Sequence, residues 1–119
     1  VEKQKQYNLQ NRLVKFSANI IITASTLKND FASEHLIKQL IRSSTSAALN
    51  YGEAQSAESK RDFIHKMKLC LKELRESQVN MQIMEEARLI QNDNFKRNLK
   101  ECSELVAIFT TSIKTSNKK

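Results

Sequence analysis

Proline is absent from this chain of 119 residues, tryptophan is absent, and glycine occurs once, at Gly52. Strands need turn chemistry at short intervals, which Gly or Pro usually supplies. Their scarcity excludes a β-rich fold. No apolar run approaches the roughly 18 residues needed to span a bilayer, so no membrane partner is expected. The opening residues do not read as a basic-then-apolar leader, and a cytoplasmic location is expected. Cysteine is scarce as well. Cys70 and Cys102 form no Cys-x-x-Cys, and each falls on an apolar helical stripe, the pattern of two reduced core thiols rather than a redox pair. Aromatic residues make up only 6%, which leaves little material for stacking on nucleobases.

What remains is rich in Leu, Ala, Lys, Glu, Gln and Arg, side chains that lose little rotamer freedom in a helix. The chain reads as all-α and as one domain, residues 1–119. Four amphipathic segments are predicted, over about residues 4–27, 34–57, 59–89 and 93–113. Leu9, Leu13, Phe16, Ile20 and Leu27 make the first apolar stripe. Asn29 and Asp30 tolerate the turn that follows, and Ser33 is expected to cap the second helix. Ser59, with Asp62 three residues on, is expected to cap the third. Phe95, Leu99, Cys102, Val106, Phe109 and Ile113 form the last stripe, and the closing Lys-Thr-Ser-Asn-Lys-Lys reads as a frayed tail. Four such helices on short connections imply an antiparallel up-down-up-down four-helix bundle.

Catalytic and metal patterns are thin. A bundle di-iron site needs Glu-x-x-His on two helices. The nearest match, Asp62-Phe63-Ile64-His65, occurs once, and His35 cannot repeat it. No phosphate loop of the Gly-rich kind and no nucleophile elbow is present. No enzyme activity and no cofactor are expected.

Charge is more informative. The formal net charge is +7 and the isoelectric point about 9.6, with the excess concentrated in residues 1–31 and 92–119. On the third helix Arg61, Lys68, Lys72 and Arg75 share one side. Asp62–Lys66 and Lys72–Glu76 are spaced as i,i+4 pairs. Lys96, Arg97 and Lys100 on the fourth helix, and Lys3, Lys5, Arg12 and Lys15 on the first, extend the basic set. Two readings stay open: a solvated face laced with weak ion pairs, or a stripe that meets phosphates by charge and shape.

The run from Arg42 to Phe63, RSSTSAALNYGEAQSAESKRDF, sorts into faces when read as a helix. Arg42, Ser46, Asn50 and Glu53 form a polar seam, offered either to a neighbouring helix or to another subunit. Ser44, Ala47, Ala48 and Tyr51 continue the apolar face of Ile37, Leu40 and Ile41 with small side chains that permit close approach. Gly52 then either marks a close contact in mid-helix or ends the helix.

This run resembles the signature of the bacterial four-helix-bundle proteins encoded within intervening sequences of 23S rRNA genes, also called S23 ribosomal proteins. Arg42, Ser43, Thr45 and Ser46, then Asn50, Glu53 and Ala54, then Ser59, Lys60, Asp62 and Phe63, then Leu71, Lys72, Glu73, Arg75 and Glu76 carry it. The similarity extends over about Phe31 to Ile90. Leu49, Gly52 and the Val79-Asn80 pair depart from it, the last standing where the family has two aromatic residues. The resemblance implies an up-down bundle that assembles into a homopentamer. It also implies kinship with the accessory variability determinant proteins of diversity-generating retroelements, which are basic and work with a reverse transcriptase and nucleic acid. The expected function is therefore non-enzymatic self-association with binding of RNA or other nucleic acid, and the alternative is an adaptor for another protein.

Overall fold

In a computed structural model, the backbone of residues 2–118 and the side chains of residues 9–118 are described. The described residues form four helices: α1 (Glu2–Ala24), α2 (Phe31–Gln55), α3 (Lys60–Glu86) and α4 (Asp93–Asn117). At 1.5 Å per residue each spans about 35–40 Å, which accounts for the long axis of a body measuring 47 × 25 × 20 Å. Helix α2 packs on α1 and α3, and α4 on α3 and α1, so each helix has two neighbours around a shared core.

The caps explain where the helices start. Asp30, not Ser33, caps α2: its carboxylate accepts from the Ser33 N–H at 2.8 Å. That bond draws the Asp30 pKa below the ordinary carboxylate value. The helix therefore begins at Phe31, and Ser33 lies inside its first turn, buried. Ser59 accepts from the Asp62 N–H at 3.0 Å, and Asn92 from the Phe95 N–H at 2.7 Å, so α3 and α4 begin as the sequence predicts. Two ends differ. Helix α1 closes at Ala24 in tight turns that carry Leu27 back against the core. Lys114 to Asn117 continue α4 rather than fraying, with Ile113 buried beside them.

Helix α3 stops at Glu86 instead of continuing to Leu89. Arg88 adopts φ 59°, and the N–H groups of Leu89 and Arg88 return to the carbonyls of Met84 and Glu85 at 3.0 Å each. This is a Schellman ending, whose left-handed residue is usually glycine. The single glycine lies elsewhere. Gly52 sits inside α2 without positive φ, and a methyl group there would meet only the Gln10 side chain, at 3.9 Å. It is neither a cap nor a forced close contact. Gly52→Ala is accordingly expected to raise stability by about 0.5–1 kcal/mol, and Arg88→Gly by up to about 1 kcal/mol by relieving the left-handed arginine. Urea denaturation midpoints check both.

The small residues of α2 still mediate approach, on both sides. Ser17 Oγ donates to the Ser44 carbonyl at 2.9 Å, joining α1 to α2, and Ala47 beside it is fully buried. Ser43 and Ser77 hydroxyls meet at 2.6 Å across α2 and α3, and Asn80 Nδ2 donates to the Leu36 carbonyl at 3.0 Å. At the centre Tyr51 of α2 stands edge-on to Phe109 of α4, with centroids 5.6 Å apart.

Cys70 and Cys102 are free and fully buried. Burial pushes both thiols up to about 12 from an ordinary 9.0, because the thiolate would lose its hydration. A pKa raised in the folded state favours folding below the unfolded value. That contribution is lost as pH rises through the window from 9 to 12. We expect both thiols to resist a thiol-specific reagent at pH 8 until denaturant is added, and the urea midpoint to fall above pH 9 by more than in a Cys70→Ala/Cys102→Ala variant.

Candidate nucleic-acid interface

The ion pairs sort the cations into two groups. Arg12 grips α4 from α1: its Nε and Nη2 donate to the two Glu101 oxygens at 2.8 and 2.7 Å, and Nη2 reaches Glu104 at 3.1 Å. Glu101 hydrogen bonding raises the guanidinium pKa. Arg42 Nη2 lies 2.7 Å from Glu76 and 3.3 Å from Glu73 on α3. Lys66 reaches Glu53 of α2 at 2.7 Å, and that carboxylate raises the lysine pKa. These three cations fasten helices together.

The expected i,i+4 pairs do not form, because their members take partners on another helix: Lys66 takes Glu53 rather than Asp62, and Glu76 takes Arg42 rather than Lys72. The polar seam of α2 is likewise engaged within the chain. Arg42 and Glu53 face α3, while Asn50 Nδ2 donates to the Ser46 carbonyl at 2.9 Å and its hydroxyl at 3.2 Å. Arg12 is not available to extend the basic stripe. Lys3 and Lys5 lie outside the residues whose side chains are described.

The second group contains the seven expected to meet phosphates, Arg61, Lys68, Lys72, Arg75, Lys96, Arg97 and Lys100, together with the other exposed lysines and arginines, Lys15, Lys28, Lys38, Lys60, Arg88, Lys114 and Lys118. All seven are exposed, and none forms an ion pair among the described residues. They do not make one patch. Lys96, Arg97 and Lys100 occupy the first turns of α4, next to where α3 ends, whereas Arg61 and Lys68 stand on the first turns of α3. Lys72 and Arg75 lie between. From Lys68 to the end of α3 at Glu86 is about 27 Å along the helix axis.

Two grooves flank this surface. One, of about 620 Å³, lies where α3 begins and α4 ends; Lys60, Arg61, His65, Lys68, Ser116 and Asn117 line it, over Ile64. No carboxylate is among its walls. Sequence reading missed Lys60, His65 and the α4 contribution. The spacing of Lys60 and Arg61 could have suggested the first; Ser116 and Asn117 were hidden by treating the end of α4 as a tail. The other groove, of about 510 Å³, runs between α2 and α3 over Leu36, Val79 and Ile83, with Arg42, Arg75 and Asn80 along it. Val79 is 53% and Ile83 48% exposed, and Asn80 Oδ1 is buried without a hydrogen bond.

Among the described residues no three His, Cys, Asp or Glu side chains gather as a metal site, and no helix is long and apolar enough to cross a membrane. The fold and its surface thus define a class: an all-α, four-helix protein whose structural cations are paired and whose outer cations are not. The match to a model of the 23S rRNA-intervening sequence proteins covers residues 5–111, and the chain belongs to that family. It is also similar in structure to a protein of unknown function from the S23 ribosomal protein family of Bacteroides thetaiotaomicron VPI-5482. That likeness has a TM-score of 0.81 at 26% identity, over 92% of this chain and 98% of the other. No curated protein matches the chain.

Proposed function

We propose that the protein is a non-enzymatic, homo-oligomeric bundle that binds RNA or another nucleic acid through its unpaired outer cations. The carrying observation is the partition of charge. Arg12, Arg42 and Lys66 are spent on carboxylates of neighbouring helices, whereas the seven cations of α3 and α4, like the remaining exposed lysines and arginines, keep their donors free for phosphate oxygens. Recognition then rests on charge and shape, because little aromatic surface is offered.

An antiparallel up-down-up-down order supports this display. Residue pairs across α2 and α3 run in opposite senses: Leu36 with Asn80, Ser43 with Ser77, Glu53 with Lys66. The outer face of α1 carries Val14, Ile21 and Ile22, each about half exposed, and Leu49 on α2 is 69% exposed. Covering these side chains favours self-association, in which the basic surface of each protomer is multiplied around a ring. We take the ring to be a pentamer, as the family resemblance implies, and the two buried free thiols suit a cytoplasmic location. Light scattering is expected to return a multiple of 13.7 kDa, and a single-protomer mass contradicts self-association.

A second reading is favoured by one observation, the groove of Leu36, Val79 and Ile83 with the unpaired Asn80 oxygen, which suits a protein segment. A tagged protein recovered from a lysate separates the two. Nucleic acid that copurifies and is released by nuclease supports the first reading. A protein held after nuclease treatment, with no nucleic acid bound, replaces it by the adaptor.

A further inference from the structure

The groove between the start of α3 and the end of α4 differs in kind from the rest of the basic surface. Cations along a helix are strung in a line, which suits a run of backbone phosphates. Here the residues that line one shallow, open groove come from two helices. Lys60, Arg61 and Lys68 supply ammonium and guanidinium groups, Ser116 and Asn117 a hydroxyl and an amide, and His65 an imidazole. Ile64 gives the groove an apolar floor, and no carboxylate competes for the donors.

A phosphate diester inside a strand carries a single charge, and its two bridging oxygens are poor acceptors. A terminal phosphate monoester carries between about one and a half and two negative charges near neutral pH and presents three strong acceptor oxygens. Three cations lining one groove match the second better than the first. With no tryptophan, tyrosine or phenylalanine on the groove walls, only His65 and Arg61 offer a plane for a base, and charged donors dominate the groove.

We infer that this groove holds the terminal phosphate of a nucleic-acid strand, with Lys60, Arg61 and Lys68 as its charge clamp and Ser116 and Asn117 as neutral donors. The inference rests on the nucleic-acid reading above. It adds that the protein distinguishes a phosphorylated strand end from an unphosphorylated one.

The test uses one oligonucleotide sequence in three forms, 5′-phosphorylated, 3′-phosphorylated and unphosphorylated, titrated calorimetrically at fixed low salt. At least one phosphorylated form is expected to bind about five-fold or more tightly than the unphosphorylated strand. In Lys60→Gln/Arg61→Gln/Lys68→Gln that preference is expected to vanish; because Arg61 and Lys68 also belong to the outer basic surface, all three strands are expected to bind more weakly, and equally, through the remaining outer cations. Lys96→Gln/Lys100→Gln, at the other end of the bundle, is expected to keep the preference. The substituted side chains are exposed, and a thermal melt confirms that each variant is folded. Equal binding of all three strands by the unaltered protein overturns the inference and leaves the nucleic-acid reading standing. So does a preference that survives the triple substitution. A nucleoside monophosphate that binds as tightly as the phosphorylated strand reassigns the groove to small phosphates and overturns the strand-end assignment. Failure of every strand to bind overturns both.

Discussion

Phe109→Ala is expected to destabilise the fold by about 3–5 kcal/mol, because it removes a whole buried ring and leaves a cavity. Phe109 is fully buried, and its partner across the core is the Tyr51 ring at 76° to it. That edge-to-face pair joins helices α2 and α4, whose backbones do not approach closely among the described residues, since each packs on α1 and α3. The loss is a large part of the roughly 5–15 kcal/mol that holds a domain of this size together. A melting temperature lower by about 10–25 °C is the readout. Tyr51→Phe is the contrasting variant. Its hydroxyl bonds Gln55, and burial raises the phenol pKa above the ordinary 10.0. Removing that hydroxyl keeps the ring contact and should cost about 1 kcal/mol. Equal losses from the two substitutions would mean that the ring pair is not what joins α2 to α4.

Replacing Arg61, Lys68, Lys72 and Arg75 together by Gln is expected to weaken binding to structured RNA by about 100-fold in low salt. Each lost phosphate contact also removes about 0.7–0.9 from the slope of log affinity against log salt. The melting temperature should barely move, because these side chains are exposed and pair with nothing among the described residues. Arg12→Gln and Arg42→Gln are expected to do the reverse. Each breaks an interhelix pair and leaves carboxylates behind, so stability falls while affinity for RNA changes by no more than about two-fold. Glu73 is the most exposed to that loss in the energetic sense: its side chain is only 12% accessible and faces Arg42 at 3.3 Å. A four-Gln variant that bound RNA normally would return the basic stripe to the status of a solvated face.

The helices and most of the core were legible in the sequence, because the spacing of Leu13, Phe16, Ile20, Cys102 and Phe109, and the place of Cys70 on an apolar stripe, follow from the helical period alone. Boundaries were less so. Asp30 and Ser33 are both good caps, and only the hydrogen bond from Ser33 N–H to Asp30 decides between them. Arg88 was invisible as a terminator, since a left-handed arginine has no sequence signature, and the one glycine that might have marked such a turn lies in mid-helix. The seven outer cations could be named from the sequence, but their partition from Arg12, Arg42 and Lys66 could not. Whether a lysine is free depends on which carboxylate a neighbouring helix brings to it. Arg12 meets Glu101 across 89 residues of chain. The groove of Lys60, Arg61, His65 and Lys68 was hidden for the same reason, its second wall coming from the far end of the sequence.

The central claim is that the unpaired cations form a surface for nucleic acid. It is tested most directly by the affinity of the unaltered protein for a structured RNA, measured by filter retention between about 50 and 200 mM salt. Affinity is expected to fall linearly on logarithmic axes, with a slope of about −3 or steeper as several phosphate contacts are lost together. No binding at the lowest salt, or binding that does not change with salt, would contradict the account.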